Sequence, residues 1–310
     1  MYSINFALLS NHDIATQFGK KGTSTDLTLY DKKDSDVLRT WIVPSGFPDK
    51  IQPLLQAINM SEYIIFYVNK LNRFTGEQII ALDSLNMTQG ILCHSFDVDE
   101  TKLLSMIRGT VLERYELVKQ DDLKSHMMSF PQVSSDTNRN LQIIIDHSFE
   151  VKGVGTVVLG KVMTGQLKQY DNLVLLPSGK KVMVKSIQMH DDPCTVAQCP
   201  ARVGLSLKGI KSTDINRGDI LASCSLNVTK TFHLDLKKSP FYTKEISINQ
   251  MCLVCVGLQI RFARFISISP VTIETERPLV LESDSICIVL KPESQTSRIL
   301  GSGVIQHIEQ

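Results

Sequence analysis

Phe149-Glu150-Val151-Lys152-Gly153-Val154-Gly155-Thr156-Val157-Val158-Leu159-Gly160-Lys161-Val162 decides how this chain is read. Apolar and polar residues alternate on either side of paired glycines, as in a strand that bends where a side chain would block the neighbouring backbone. This is expected to be a barrel corner. Two further strand pairs follow outward from it. Asp171 to Leu176 and Lys181 to Met189 flank Pro177-Ser178-Gly179-Lys180, where proline and glycine supply turn chemistry. Ala201 to Lys208 leads on to Asn216-Arg217-Gly218-Asp219-Ile220-Leu221-Ala222, which closes the β-rich region that began at Leu141.

The same residues carry a family resemblance. Ile145-Asp146-x-x-Phe149, Gly153-x-Gly155-Thr156-Val157-Val158, Gly165, Tyr170-Asp171, Ser186-Ile187-Gln188, Arg202-Val203-Gly204, Gly209-Ile210 and Arg217-Gly218-Asp219 recur at fixed spacing over about 80 residues. In this order they resemble the second domain of elongation-factor-Tu-type translation factors. The run Ser186-Ile187-Gln188-Met189-His190 brings the resemblance closest to the selenocysteine-specific SelB branch.

At 310 residues, two or three domains are expected. No apolar run reaches the roughly 18 residues of a membrane helix, and Met1-Tyr2-Ser3-Ile4-Asn5 lacks the basic start of a signal peptide, so a cytoplasmic location is expected. Seven cysteines, an odd number scattered in mostly apolar runs, point to reduced, buried thiols. Cys252-Leu253-Val254-Cys255 has metal-ligand spacing, but no second pair completes four ligands, and two strand residues are the plainer account. The net charge of +1 gives no general attraction to nucleic acid. Residues 1–135 hold 13 Lys/Arg against 16 Asp/Glu, and residues 136–310 hold 20 against 16, so any RNA-binding patch belongs to the later part.

The first third alternates strand and helix. Ile4 to Leu9, Asp26 to Tyr30, Val37 to Val43, Tyr63 to Val68, Gly90 to Cys93 and Tyr115 to Val118 are β-rich, while Pro48 to Asn59, Thr75 to Leu85 and Asp99 to Arg108 carry helical spacing. The pattern predicts an α/β domain with a mostly parallel sheet covered on both faces. It lies where the resembled factors carry their GTPase domain. Lys21-Gly22-Thr23-Ser24-Thr25-Asp26-Leu27 is similar to that family's Arg-Gly-Ile-Thr-Ile-Asp-Leu segment, and Val43-Pro44-Ser45-Gly46 falls at its Asp-x-Pro-Gly-His.

The nucleotide chemistry is missing from this frame. A phosphate loop needs Gly-x-x-x-x-Gly-Lys-Ser/Thr after the first strand, so that backbone N–H groups, a lysine and a magnesium-holding hydroxyl converge on the phosphates. Here Ser10-Asn11-His12-Asp13-Ile14-Ala15-Thr16-Gln17 follows instead, and too few residues remain for the helix that completes such a loop. Ser45 and Phe47 stand at the family's glycine and water-positioning histidine. Ile91 to Asp97 lacks the guanine-reading Asn-Lys-x-Asp; Asn69-Lys70-Leu71-Asn72 mimics it one strand early. A degenerate GTPase-like domain is therefore expected, with no GTP, no cofactor, no metal and no catalytic residue; a GTPase with an unusual nucleotide site is the remaining alternative. His12 and Asp13 are read as a surface loop, since no nucleophile or metal partner accompanies them.

Met128 to Asn140 is polar and reads as a linker. After Ala222 the pattern is all-β: Thr229 to Leu236, Glu245 to Ile248, Met251 to Arg264, Ile266 to Thr272, Pro278 to Leu281, Ser285 to Leu290 and Arg298 to Ile308. The expected architecture is thus residues 1–133 as the α/β domain, 140–224 as one small β-barrel and 227–310 as a second. Residues from about Asn140 onward are expected to fold alone. The resembled SelB branch continues beyond this point with a domain that holds a messenger-RNA hairpin; few residues follow here, so selenocysteine decoding is not expected.

The resemblance also implies a site. In these factors the second domain holds the aminoacyl end of tRNA, which places Phe149 by the terminal adenine, with Asp146, His147, Arg202 and His190 around it. The implied partner is tRNA or the ribosome. The residues alone allow a plainer alternative, in which Phe149 faces the barrel core, Arg202 pairs with a surface carboxylate, and the scaffold serves only to bind another protein. Lys180, Lys181, Lys185, Lys208 and Lys211 form a basic stripe of the kind phosphates attract, although strand ends often carry solvated lysine.

Overall fold

The computed structural model describes residues 2–10, 14–131, 137–282 and 284–308. Asn11, His12 and Asp13 lie outside the described residues, as do residues 132–136 of the expected linker and Ser283.

The first domain is built on β1 (Tyr2–Leu9), β2 (Lys20–Ser24), β3 (Thr28–Asp34), β4 (Val37–Val43), β5 (Tyr63–Val68), β6 (Gly90–His94) and β7 (Glu116–Leu117), in the order β2-β3-β4-β1-β5-β6-β7. β1 lies parallel to β4 and β5, and β5–β6 and β6–β7 are also parallel, while β2–β3–β4 form an antiparallel meander. Its α-helices among the described residues are α1 (Gln52–Asn59), α2 (Arg73–Ser84), α3 (Glu100–Ile107) and α4 (Leu123–Ser129).

The expected two-faced sheet is present, and β5 shows why it reads as one apolar run. All six of its residues are buried. Ile64, Phe66 and Val68 pack towards α1, α2 and α3, while Tyr63, Ile65 and Tyr67 join Phe6, Phe18, Trp41 and Met127 on the other face. Two elements differ from expectation. β2 is an exposed edge strand whose Lys20, Lys21 and Gly22 carry no hydrophobic period. α4 reaches into the stretch read as linker, held by Leu123 and Met127 one helical turn apart and both buried.

The second domain contains β8 (Gln142–Val151), β9 (Gly155–Thr164), β10 (Gln166–Lys168), β11 (Asn172–Leu176), β12 (Lys180–Met189), β13 (Asp192–Cys194), β14 (Val196–Gln198), β15 (Arg202–Lys208) and β16 (Ile220–Ala222). Its main sheet runs β11-β16-β8-β9-β15-β12, and β11 pairs with β12 to close a six-stranded barrel. The paired glycines are not at a corner where a side chain would collide. Gly153 and Gly155 form the β8–β9 hairpin turn with φ of 83° and 98°, and an added Cβ would meet nothing within 4 Å. Backbone conformation, not crowding, calls for glycine here. The close approach is at Gly160, where a Cβ would stand 2.4 Å from the Ile144 carbonyl oxygen.

β17 (Asn227–Lys238), β18 (Met251–Val256), β19 (Gln259–Ile268), β20 (Val271–Leu281), β21 (Ile286–Leu290) and β22 (Ile299–Ile308) close a second barrel in the order β17-β20-β19-β18-β21-β22. The stretch Met251 to Arg264, expected as one strand, is a hairpin turning at Gly257 and Leu258; continuous apolar sequence hid the turn. Glu245 to Ile248 is irregular, with Ile248 59% exposed, so its β-rich composition has no partner strand.

The barrels do not hang from the first domain. Ile144, Leu253, Leu258, Ile288, Leu290 and Ile299 belong to the same apolar cluster as Leu54, Leu55, Ile58 and Leu82 of α1 and α2. Polar groups pin the seam: Gln56 Nε2 donates to the Leu258 carbonyl at 3.1 Å, and Asn59 Nδ2 donates to the Gly257 carbonyl at 3.1 Å. Lys161 reaches from β9 to Glu62, whose other carboxylate oxygen accepts from Asn5. Independent folding of residues 140–310 is therefore a poor expectation, because this seam is core rather than surface.

Candidate functional site

Asp146 sits at a bulge in β8, where pairing with β9 slips between Ile145 and His147. The bulge turns its side chain fully inward, to 0% exposure. Arg202, at the start of β15, reaches across β9 and donates from Nη2 to Asp146 Oδ2 at 3.0 Å. Burial pushes the Asp146 carboxyl up, but the Arg202 charge and the His147 hydrogen bond outweigh it and bring the pKa down to about 2. Arg202 itself is only 11% exposed. The alternative of a surface carboxylate pairing with Arg202 is excluded by Asp146's burial.

His147 follows the bulge and points towards the first domain. Its Nδ1 lies 3.3 Å from Asp146 Oδ2, and its Nε2 lies 3.3 Å from Thr25 Oγ1 and 3.4 Å from Arg217 Nη2. Arg217 is the residue that sequence reasoning passed over. Its Nε donates to the Asp146 carbonyl at 3.1 Å, and its Nη1 donates to Asp26 Oδ2 at 2.8 Å and Gln56 Oε1 at 3.1 Å. Burial raises the Asp26 pKa, yet the Arg217 hydrogen bond and charge leave it below the usual carboxylate range. The available signal was Gly218: its φ is 90°, and a Cβ there would meet the Gln259 backbone at 2.8 Å, so Arg217 is held at a three-way contact. Asp146, His147, Arg202 and Arg217 are thus one electrostatic hub joining the first domain to the first barrel.

The other two predicted residues stand apart. Phe149 is 42% exposed, so it is not in the barrel core. It pairs with Val157, four residues along β9 from Lys161, the partner of Arg202, so the two are offset by roughly 13 Å along the strands as well as lying on strands either side of β9. His190 lies exposed between β12 and β13 at φ 52° and makes no hydrogen bond to the hub.

Three lysines do converge. Lys185, Lys208 and Lys211 line a concavity of about 730 Å³ together with Glu150 and Thr156. Glu150 is occupied locally, accepting from the Ser212 amide at 2.9 Å and Thr156 Oγ1 at 2.9 Å. Lys180 pairs with Asp214 at 2.9 Å instead. Glu150 lines this cup, and Phe149, the preceding residue, points to the opposite face of the strand.

Past the C-terminal end of β1, the described chain resumes at Ile14 with a three-residue 3-10 helix, Ala15–Gln17, and then β2. Asn72 caps α2, accepting from the Phe74 and Thr75 amides, so the Asn69-Lys70-Leu71-Asn72 segment is a helix start. No group of three or more metal-ligating side chains occurs among the described residues, and Cys252 and Cys255 are buried thiols of β18. No helix among the described residues is long and apolar enough to cross a membrane.

A mostly parallel α/β domain followed by two closed six-stranded barrels is the build of translation elongation factors. Residues 155–222 match the family model described as elongation factor Tu domain 2. Over 302 residues the chain is 34% identical to the uncharacterized protein MJ0325 of Methanocaldococcus jannaschii, covering 94% of this chain and 95% of that protein. It is 29% identical over 252 residues to the selenocysteine-specific elongation factor of the same organism, covering 71% of this chain and 53% of that factor. Among solved structures, translation elongation factor SelB of Methanococcus maripaludis with the GTP analogue GPPNHP superposes with a TM-score of 0.84 at 21% identity, covering 100% of this chain and 80% of that one. The chain belongs to the elongation factor Tu and SelB type family of translation factors.

Proposed function

We propose that this protein binds RNA of the translation apparatus, tRNA or the ribosome, without binding or hydrolysing GTP. The observation that carries the first half is the path of the chain after β1. Among the described residues between β1 and β3, a short 3-10 helix and an exposed edge strand stand where the helix that completes a phosphate loop would lie. Phosphoryl transfer depends on positioning and charge rather than on covalent chemistry from the protein. The sequence has no loop lysine and no correctly placed hydroxyl there, and no α-helix lies among the described residues between β1 and β2, so these contacts to a triphosphate are missing. Asn72, which mimics the guanine reader, is engaged in capping α2.

RNA contact falls to the first barrel. Phe149 offers an exposed aromatic face for a base, and the cup of Lys185, Lys208 and Lys211 offers charge to phosphates. Phe149 and the cup lie on opposite faces of β8; Asp146 and Arg202 act as an internal strut of the same barrel, with His147 and Arg217 tying it to the first domain, and His190 contributes from the outer turn. The partner class is supported by relatives that are elongation factors, the selenocysteine-specific factor of Methanocaldococcus jannaschii and elongation factor 1-alpha of Cenarchaeum symbiosum. Such a role places the protein in the cytoplasm. Calorimetric titration tests the nucleotide half: GTP and GDP with magnesium produce no saturable heat at micromolar concentrations, and a micromolar dissociation constant for either overturns the proposal.

A further inference from the structure

We propose that the groove between α2 of the first domain and β17 and β22 of the second barrel docks an acidic, amphipathic segment of a partner protein. The groove has a volume of about 1080 Å³ and runs across the seam between the two domains. Ile80, Met106 and Val304 give it an apolar floor, and Phe241 stands at its lip with 59% of its surface exposed. A large aromatic left in solvent beside an apolar trough has the makings of a binding anchor.

The rim sets the sign of the occupant. Arg73, Arg108, Lys237 and Lys238 are all exposed along it, and none forms an ion pair with a described residue. Arg73 and Lys238 lie over the Phe74 and Tyr242 rings at 4.8 and 5.8 Å, which leaves their charge outward. The acidic groups nearby offset them incompletely. Glu77 is buried against Arg298, which leaves two exposed carboxylates, Asp83, which accepts from the Val111 amide, and Asp235, against the four cations. The field over an apolar floor is positive, and an acidic segment with apolar side chains on one face meets both. An RNA backbone would meet the cations and leave Phe241 and the floor uncovered. The Glu77–Arg298 pair at the edge of the groove fixes α2 against the barrel, so the groove is preformed and the cost of ordering falls on the peptide alone.

Random twelve-residue peptides displayed on phage, selected on the full chain and then titrated as fluorescent peptides by anisotropy, test this. The recovered sequences are expected to be acidic with two or more large apolar residues. The double substitution Lys237→Glu with Lys238→Glu, and separately Phe241→Ala, should each weaken them at least about tenfold. All three positions are exposed, and unchanged thermal unfolding shows that the variants fold. Recovery of neutral or basic peptides, or affinities unmoved by these substitutions, overturns the proposal. So does a single-stranded twelve-nucleotide RNA that loses affinity on the same variants while the peptides do not. Sedimentation that reveals a dimer abolished by Phe241→Glu also overturns it, since the groove would then belong to a second copy of the chain.

Discussion

The Arg298 guanidinium meets the Glu77 carboxylate through both Nε, at 3.0 Å, and Nη2, at 2.5 Å, with the two side chains 6% and 4% exposed. Arg298 opens the closing strand of the second barrel and Glu77 lies on α2, so a buried ion pair welds the first domain to the last. Removing one partner of such a pair strands a buried charge. Glu77→Ala should lower stability by roughly 3–5 kcal/mol in urea unfolding. The exposed Lys33–Asp192 pair is the control: Lys33→Ala should cost far less than Glu77→Ala. Equal losses from the two substitutions would contradict the weld.

The same seam governs the barrels in isolation. A fragment beginning near Asn140 keeps Arg298 and Lys161 without Glu77 and Glu62, and uncovers Ile144, Leu258 and Ile299. It should aggregate or melt well below the whole chain, with increased binding of a hydrophobic dye. A fragment as stable as the intact protein would show that the seam contributes little.

Asp146 makes the hub visible through pH. Its folded pKa of about 2 lies below the ordinary carboxylate value, so the stability it contributes is present above about pH 4 and is lost as pH falls towards 2. The loss amounts to roughly 2 kcal/mol. In Arg202→Met the buried carboxyl keeps its desolvation and its His147 hydrogen bond but loses the Arg202 charge, so its pKa rises from about 2. That variant should lose less stability than wild type as pH falls from 4 towards 2. Parallel pH profiles for wild type and variant would rule out the pairing as the cause.

The sequence made the strand-helix alternation of the first domain legible because its central strands are continuously apolar, as Tyr63 to Val68 illustrates. It made the barrels legible through turn residues such as Pro177 and Gly179. Where a turn lies within an apolar run, as at Gly257-Leu258, or an edge strand carries lysine, as at Lys20, local pattern falls silent. Of the candidate site, Asp146, His147 and Arg202 are brought together, but no local pattern distinguishes a lining charge from a buried strut. Burial decides that, and burial comes from the β8 bulge. Arg217 escaped notice because its partners Asp26 and Gln56 are more than 150 residues away in the chain.

Exposure separates Phe149 from Arg202 in their effects. Phe149→Ala should leave unfolding within about 0.5 kcal/mol of wild type, while weakening RNA binding by roughly 1–3 kcal/mol in a gel-shift titration. Arg202→Ala should act first on stability. If Phe149→Ala binds RNA as wild type does, stacking on this ring is not the contact.

The most direct test of nucleotide-independent RNA binding is a filter-binding titration of tRNA at two salt concentrations, with and without GTP and magnesium. The predicted result is saturable binding that weakens with salt, with a dissociation constant unchanged by the nucleotide. Replacing Lys185, Lys208 and Lys211 by alanine should flatten the log–log salt slope by about 2. A dissociation constant that tightens severalfold on adding GTP, or no saturable tRNA binding at low salt, would contradict it.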